Sequence, residues 1–180
     1  MLIHSFKTMR VLKDEEAKEG ERWMQEAATV AARAMCFRSR CGSVIVRDGE
    51  VVATGFNAPP QMKEEYRTCL NVYDLPKDFA YDRTCCIHAE ERAIMNGLKS
   101  HPEKLKGARL YFVRLDNEGK IRMSGKPICT LCSRMTLEAG IAEFVLWHAE
   151  GITVYEAGEY DKLSFANTEH TRSTPYVQVG

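Results

Sequence analysis

The chain has no excess of charge of either sign. Its 180 residues carry 25 Lys and Arg against 25 Asp and Glu. Proteins that grip a long nucleic acid by its phosphates usually carry a basic excess, so a long nucleic acid is disfavoured as a partner unless a local basic patch exists. No stretch approaches the roughly 18 consecutive apolar residues of a membrane-spanning helix, so no membrane span is expected. The segment Met1–Glu16 alternates apolar and charged residues and lacks the apolar block of a secretory signal. The cytoplasm is therefore the expected compartment. Internal repeats and low-complexity stretches are absent, which excludes solenoids and fibrous chains. The seven cysteines are an odd number and suit a disulfide framework poorly. In a reducing compartment, clustered cysteines point to metal binding or catalysis.

What remains is ordinary for a globular protein: 44% hydrophobic and 28% charged residues. The length suits a single domain over 1–180, with a core of about 15–165. Residues Glu15 to about Cys36 read as a helix, since Trp23, Ala27, Val30, Ala31 and Ala34 recur at steps of three and four without proline. Asp48-Gly49 between two β-rich runs, 41–47 and 50–56, signals a hairpin. An irregular insert spans about 59–85 and is too long for a simple connection. A helix is expected from His88 to about Leu98. A strand follows at 109–115, with a brief return at 121–123. A further helix runs from Cys129 to about Glu138 and stops at Ala139-Gly140. Strands at 143–148 and 152–155 and a short helix at 159–165 complete the core, ahead of a polar tail of about 167–180. Alternating strands and helices predict a layered α/β domain.

The chemistry concentrates in two motifs, His88-Ala89-Glu90 and Cys129-Thr130-Leu131-Cys132. Cys129 and Cys132 project from one side of a helix's first turn, where free N–H groups stabilise thiolates. They form half of a tetrahedral zinc site. His88 can supply a third ligand and leave the fourth position open to water, as in catalytic zinc sites. Glu90 is then close enough to take that water's proton.

This pair of motifs resembles the zinc-dependent cytidine and deoxycytidylate deaminase superfamily, whose H-x-E and P-C-x-x-C signature is well known. The elements Val44-Ile45-Val46, Gly55-Phe56-Asn57 and Ala139-Gly140-Ile141 stand in the superfamily's order, so the likeness covers about 31–155. The Gly-Phe-Asn element is most similar to the Gly-Tyr-Asn of deoxycytidylate deaminases. The resemblance implies a three-layer α/β/α fold with a mixed five-stranded sheet. It implies that His88, Cys129 and Cys132 bind Zn2+, and that the zinc-activated water attacks the ring carbon bearing the amine. Glu90 then shuttles protons to the ring nitrogen and the departing ammonia. The Ala89 N–H holds the base's carbonyl, and Asn57 contacts base or sugar. The implied partner is a small nucleotide or nucleoside, dCMP or CMP first, and homo-oligomers are common in the superfamily.

Two departures stand out. Ile128 separates Pro127 from Cys129, which shifts the backbone beside the leaving amine. Position 58 is Ala where many deoxycytidylate deaminases have Gly, so regulation by nucleoside triphosphates is not assumed. Other readings stay open. The chain is then a deaminase of cytidine, cytosine, guanine, a modified base or tRNA adenosine, or a non-catalytic zinc-binding module. Cys85 and Cys86 read as buried packing, with a second zinc site through Cys69, Cys85 or His101 as the alternative. For substrate phosphate, Arg67 and Arg83 in the insert and Arg38 and Arg40 before the first strand are equally eligible, with Tyr73 and Tyr81 beside the first pair. His148 reads as a satisfied core or interface histidine.

Overall fold

Alternate residues of each strand serve two different apolar layers, and this organises the molecule. The computed structural model describes residues 9–37, 39–68 and 85–167. In chain order these form β1 (Arg10–Val11), α1 (Asp14–Ala31), β2 (Arg40–Arg47), β3 (Glu50–Phe56), α2 (Ala89–Ser100), α3 (Pro102–Leu105), β4 (Arg109–Leu115), β5 (Ile121–Arg122), α4 (Thr130–Glu138), β6 (Glu143–His148), β7 (Gly151–Glu156) and α5 (Ala157–Ala166). Val44, Val46, Tyr111, Val113 and Val154 point to one side and pack on Trp23 and other residues of α1. Ile45, Leu110, Phe144 and Tyr155 point to the other, against Ile94 of α2, Leu105 of α3 and Tyr160 of α5. The period of two along each strand thus yields the three-layer α/β/α arrangement.

The strands run in the order β3-β2-β4-β6-β7-β1, with β5 beside the far end of β4. Only β4 and β6 are parallel within this sheet; the remaining pairs are antiparallel. Among the described residues the sheet has seven strands rather than the expected five. Of the two additions, β5 is the brief return expected at 121–123, and β1, two residues long, is too short to leave a periodic trace in a sequence. The Asp48-Gly49 hairpin forms with φ of 52° and 74°, the left-handed pair such a turn requires.

Several element ends differ from the sequence reading. The first helix stops at Ala31 rather than near Cys36, because the chain turns away there and the Met35 N–H pairs with the Asn57 carbonyl at 3.0 Å. His88 and Cys129 are N-caps, one residue outside their helices. Of the insert, only short 3-10 turns at Pro60–Met62 and Glu64–Tyr66 are described. Residues 69–84, which include Cys69, Tyr73, Tyr81 and Arg83, lie outside the described residues, as do Arg38 and the tail beyond 167. No helix among the described residues is long and apolar enough to cross a membrane.

Candidate metal centre and active site

The site forms where the N-termini of α2 and α4 meet above the end of β3. Three interactions hold the start of α2. Ile87 N–H donates to the Ala58 carbonyl at 2.9 Å, closing a bridge to the end of β3. The Arg92 guanidinium reaches back to the carbonyls of Phe56, Ala58 and Pro59 at 2.9–3.1 Å. The Glu91 carboxylate accepts the His88 N–H at 2.8 Å, half of a capping box. Across the site, Asn167 donates to the Pro127 carbonyl at 2.9 Å and fixes the approach to Cys129. The Ser133 hydroxyl donates to Asp161 at 2.7 Å, tying α4 to α5.

These anchors bring His88, Cys129 and Cys132 together as the sequence predicts. Nδ1 of His88 lies 3.3 Å from the Cys132 sulfur and 3.4 Å from the Cys129 sulfur, and the sulfurs are 2.8 Å apart. One nitrogen and two sulfurs is a donor set suited to zinc. Both N···S separations are near the tetrahedral edge of roughly 3.5 Å that ordinary Zn–N and Zn–S bonds generate. The sulfurs must part by roughly 1 Å to complete that geometry. Hydrogen bonding from Cys132 and from His88 pulls the Cys129 thiol down to about 4, although burial opposes it. The same Cys129 sulfur, acting against burial, pushes His88 up to about 9. Cys132 is pushed up by its contact with Cys129 and by burial.

Glu90 is buried beside this cluster, 5% exposed. Burial, and next the Cys129 charge, push its carboxyl up to about 7, against the pull of His88. A carboxyl of that acidity can both take and give a proton near neutral pH. Ala89 is fully buried in the first turn of α2, where a helix leaves its N–H groups without helical acceptors.

Asn57 is placed at the rim of the site, but its amide is already engaged. Oδ1 accepts the Cys41 N–H and Nδ2 donates to the Ser39 carbonyl, each at 2.8 Å. It therefore shapes the start of β2. Arg67 is similarly committed: its side chain, 3% exposed, pairs with Glu64, donates to the Met35 carbonyl and stacks on Phe37. Arg40 donates to the Asp116 carbonyl at 2.7 Å. Cys86 is buried and meets Cys36 and Cys85, and burial with these neighbours pushes its thiol up to about 12. Among the described residues, only His88, Cys129 and Cys132 lie close enough together to hold a metal, and neither Cys85 nor His101 joins such a group. Both ring nitrogens of His148 are satisfied within the chain, by the Ser124 carbonyl and the Tyr155 hydroxyl at 2.9 and 2.7 Å.

A family model described as "Cytidine and deoxycytidylate deaminase zinc-binding region" matches residues 17–148. The chain belongs to this family. Zinc is the cofactor of the region, and His88, Cys129 and Cys132 are the side chains able to hold it among the described residues. Among curated relatives, deoxycytidylate deaminase of Saccharomyces cerevisiae is 30% identical over 128 residues, 68% of this chain and 35% of that protein. Deoxycytidylate deaminase of Mycobacterium phage D29 is 32% identical over 125 residues, 66% of this chain and 86% of that one. The match thus spans about a third of the yeast enzyme and most of the phage enzyme. Among solved structures, the dCMP deaminase of cyanophage S-TIM5 in complex with dCMP and dUMP aligns with a TM-score of 0.52 at 23% identity, covering 74% of this chain and 82% of that one. Cytidine deaminase from Burkholderia pseudomallei aligns with a TM-score of 0.51 at 19% identity, over 78% and 94%. These two likenesses establish the deaminase fold.

The sequence reading did not anticipate Arg92, Asn167 or the Ser133–Asp161 contact. Their partners are remote in the chain, and no local spacing marks them.

Proposed function

We propose that the chain catalyses zinc-dependent hydrolytic deamination of a pyrimidine nucleotide, converting dCMP or CMP with water to dUMP or UMP and ammonia. The carrying observation is the buried Glu90 carboxyl beside three zinc-type ligands. The family match and the shared fold support deamination, and the two relatives named deoxycytidylate deaminase support the nucleotide over other substrates.

His88, Cys129 and Cys132 hold the metal. Zinc in such a site lowers the pKa of a bound water to about 7. Glu90 takes a proton from the attacking water and hands it to the ring nitrogen beside the reacting carbon. It then takes the remaining proton of the added hydroxyl and delivers it to the amine, so that ammonia leaves as the ring carbonyl forms. The Ala89 N–H, at the open turn of α2, donates to the base's carbonyl oxygen. Asn57 keeps one N–H and one lone pair beyond its two backbone bonds, and these face base or sugar. We further place the protein in the cytoplasm as a homo-oligomer, in line with its free cysteines and its superfamily.

The test is ammonia release by the zinc-loaded chain over cytosine, cytidine, deoxycytidine, CMP, dCMP, adenosine and guanine, with Glu90→Ala as control. Turnover of dCMP or CMP well above the nucleosides is expected. Silence across the panel with zinc verified removes the proposal, and preference for a nucleoside or free base replaces its substrate.

A further inference from the structure

We propose that the cleft between the start of β2 and the β4–β5 hairpin binds the phosphate of the nucleotide, through the guanidinium groups of Arg114 and Arg122. This deepens the nucleotide reading above and rests on it. The cleft has a volume of about 410 Å³ and is lined by Ser39, Arg114, Leu115, Asp116, Asn117 and Arg122.

The sheet register puts this cleft in line with the candidate active site. Arg114 on β4 is the cross-strand partner of Cys41 on β2 and of Arg122 on β5. Cys41 in turn exchanges backbone and side-chain hydrogen bonds with Asn57. Directly opposed residues share a face of a sheet, so Asn57, Cys41, Arg114 and Arg122 form one row across four neighbouring segments. Residues two and four positions before Arg114, Phe112 and Leu110, pack against the cluster beneath α2. The row therefore lies on the face that carries His88 and Glu90. Cys41 stands on this row between Asn57 and Arg114. From Cys41 to Arg122 is two strand spacings, roughly 10 Å. That is the order of the separation of a pyrimidine ring from its phosphate across the sugar.

The charge balance of the cleft favours an anion. Among the described residues, neither Arg114 nor Arg122 forms an ion pair, whereas Arg10, Arg47, Arg67, Arg109 and Arg134 do, Arg22 and Arg33 stack on rings, and Arg40 and Arg92 are taken by carbonyls. The one carboxylate in the lining, Asp116, is turned into its own loop, where Oδ1 accepts the Glu118 and Lys120 N–H groups at 2.9 Å. Two guanidinium forks, with the Ser39 hydroxyl and the Asn117 amide nearby, match the oxygens of a phosphate. The site is also pre-built. Arg40 pins the hairpin at the Asp116 carbonyl, and Ser124 N–H donates to the Trp147 carbonyl at 2.7 Å.

The experiment is a calorimetric titration of the zinc-loaded full chain with dUMP and with deoxyuridine, for the wild type, Arg114→Gln, Arg122→Gln and the double variant. The wild type should bind dUMP at least tenfold more tightly than deoxyuridine. Each substitution should cut that preference by roughly tenfold or more. Inorganic phosphate should compete with dUMP on the wild type and cease to do so on the double variant. Zinc content and thermal melting check folding. If the double variant does not fold, Arg122→Gln, exposed on a two-residue strand, decides. Equal binding of dUMP and deoxyuridine by the wild type, or a preference that survives in the variants, overturns the assignment. The two proposals fail separately. A protein that binds dUMP through these arginines yet releases no ammonia loses the deamination reading and keeps the phosphate site. One that deaminates nucleotides with a preference unmoved by the substitutions does the reverse.

Discussion

Gly55 of β3 lies directly under Ala89 of α2, backbone against backbone. A methyl group at Gly55 would overlap the Ala89 carbonyl oxygen and the Ala93 amide nitrogen. The Ala89 carbonyl belongs to the same turn that carries His88 and Glu90, so the strand sets the height of the metal ligand.

Gly55→Ala should therefore destabilise the fold by about 1–3 kcal/mol, as overpacking of a tight contact does. It should also lower bound zinc, because α2 has to lift. Thermal unfolding together with zinc stoichiometry checks this. A variant with full zinc content and an unchanged melting temperature would show that the contact does not position the site.

Glu90→Gln keeps the shape of the side chain and removes its proton chemistry. Ammonia release from the preferred substrate should fall by about 10²–10⁴-fold, with zinc content retained. Steady-state kinetics beside metal analysis distinguishes this from loss of the metal, which Cys129→Ser should cause instead.

Zinc uptake should release protons. His88, pushed up to about 9, and Cys132, also pushed up, hold protons at neutral pH that a metal must displace. Cys129, pulled down to about 4, has none to give. Apparent zinc affinity should thus rise with pH between about 6 and about 8, tenfold per unit for each proton released. Titrations in buffers of different ionisation enthalpy count those protons. A pH-independent affinity over that range would contradict the assigned charges.

Away from the site, Glu16 accepts a two-pronged contact from Arg10 at 2.6 Å and a weaker one from Arg109, which also pairs with Glu143. The Arg10 hydrogen bonds pull Glu16 below its ordinary value of 4.5. A carboxyl with a depressed pKa in the folded state adds stability above its unfolded value and loses it as pH falls through the folded one. The wild type should accordingly lose stability over Glu16→Gln as the solution is acidified below about pH 4.5. At neutral pH the difference should stay within about 1 kcal/mol, because the network is part-exposed. Melting temperatures of both proteins across pH 3–7 measure it.

The metal triad was legible because its signal is local. Cys129 and Cys132 share one helical turn, and His88 and Glu90 share another, so spacing alone shows what each turn can hold. The Asp48-Gly49 hairpin was legible for the same reason, since the turn needs residues tolerant of positive φ. The backbone bonds of Asn57 were not legible, because they depend on β2 lying beside β3. Arg114 and Arg122 escaped entirely. Eight positions apart on two strands, they become neighbours only through the β4–β5 register, which a two-residue strand does not advertise. Arg67 failed in the opposite sense: as an arginine in a long insert it invites a ligand, yet Glu64, Met35 and Phe37 have already taken its valences.

The hairpin between β4 and α4 divides the labour of the molecule. The metal-ligating side chains sit at two helix starts, that of α2 braced by the sheet and that of α4 by α5. The arginine pair straddles the β4–β5 hairpin, Arg114 near the end of β4 and Arg122 on β5, with the hairpin fastened by Arg40 and by the Ser124–Trp147 hydrogen bond. Lengthening, shortening or recharging that loop leaves the braces of the helix starts untouched. With the phosphate site as proposed, changes there would alter which molecule is accepted and spare the residues proposed for the reaction.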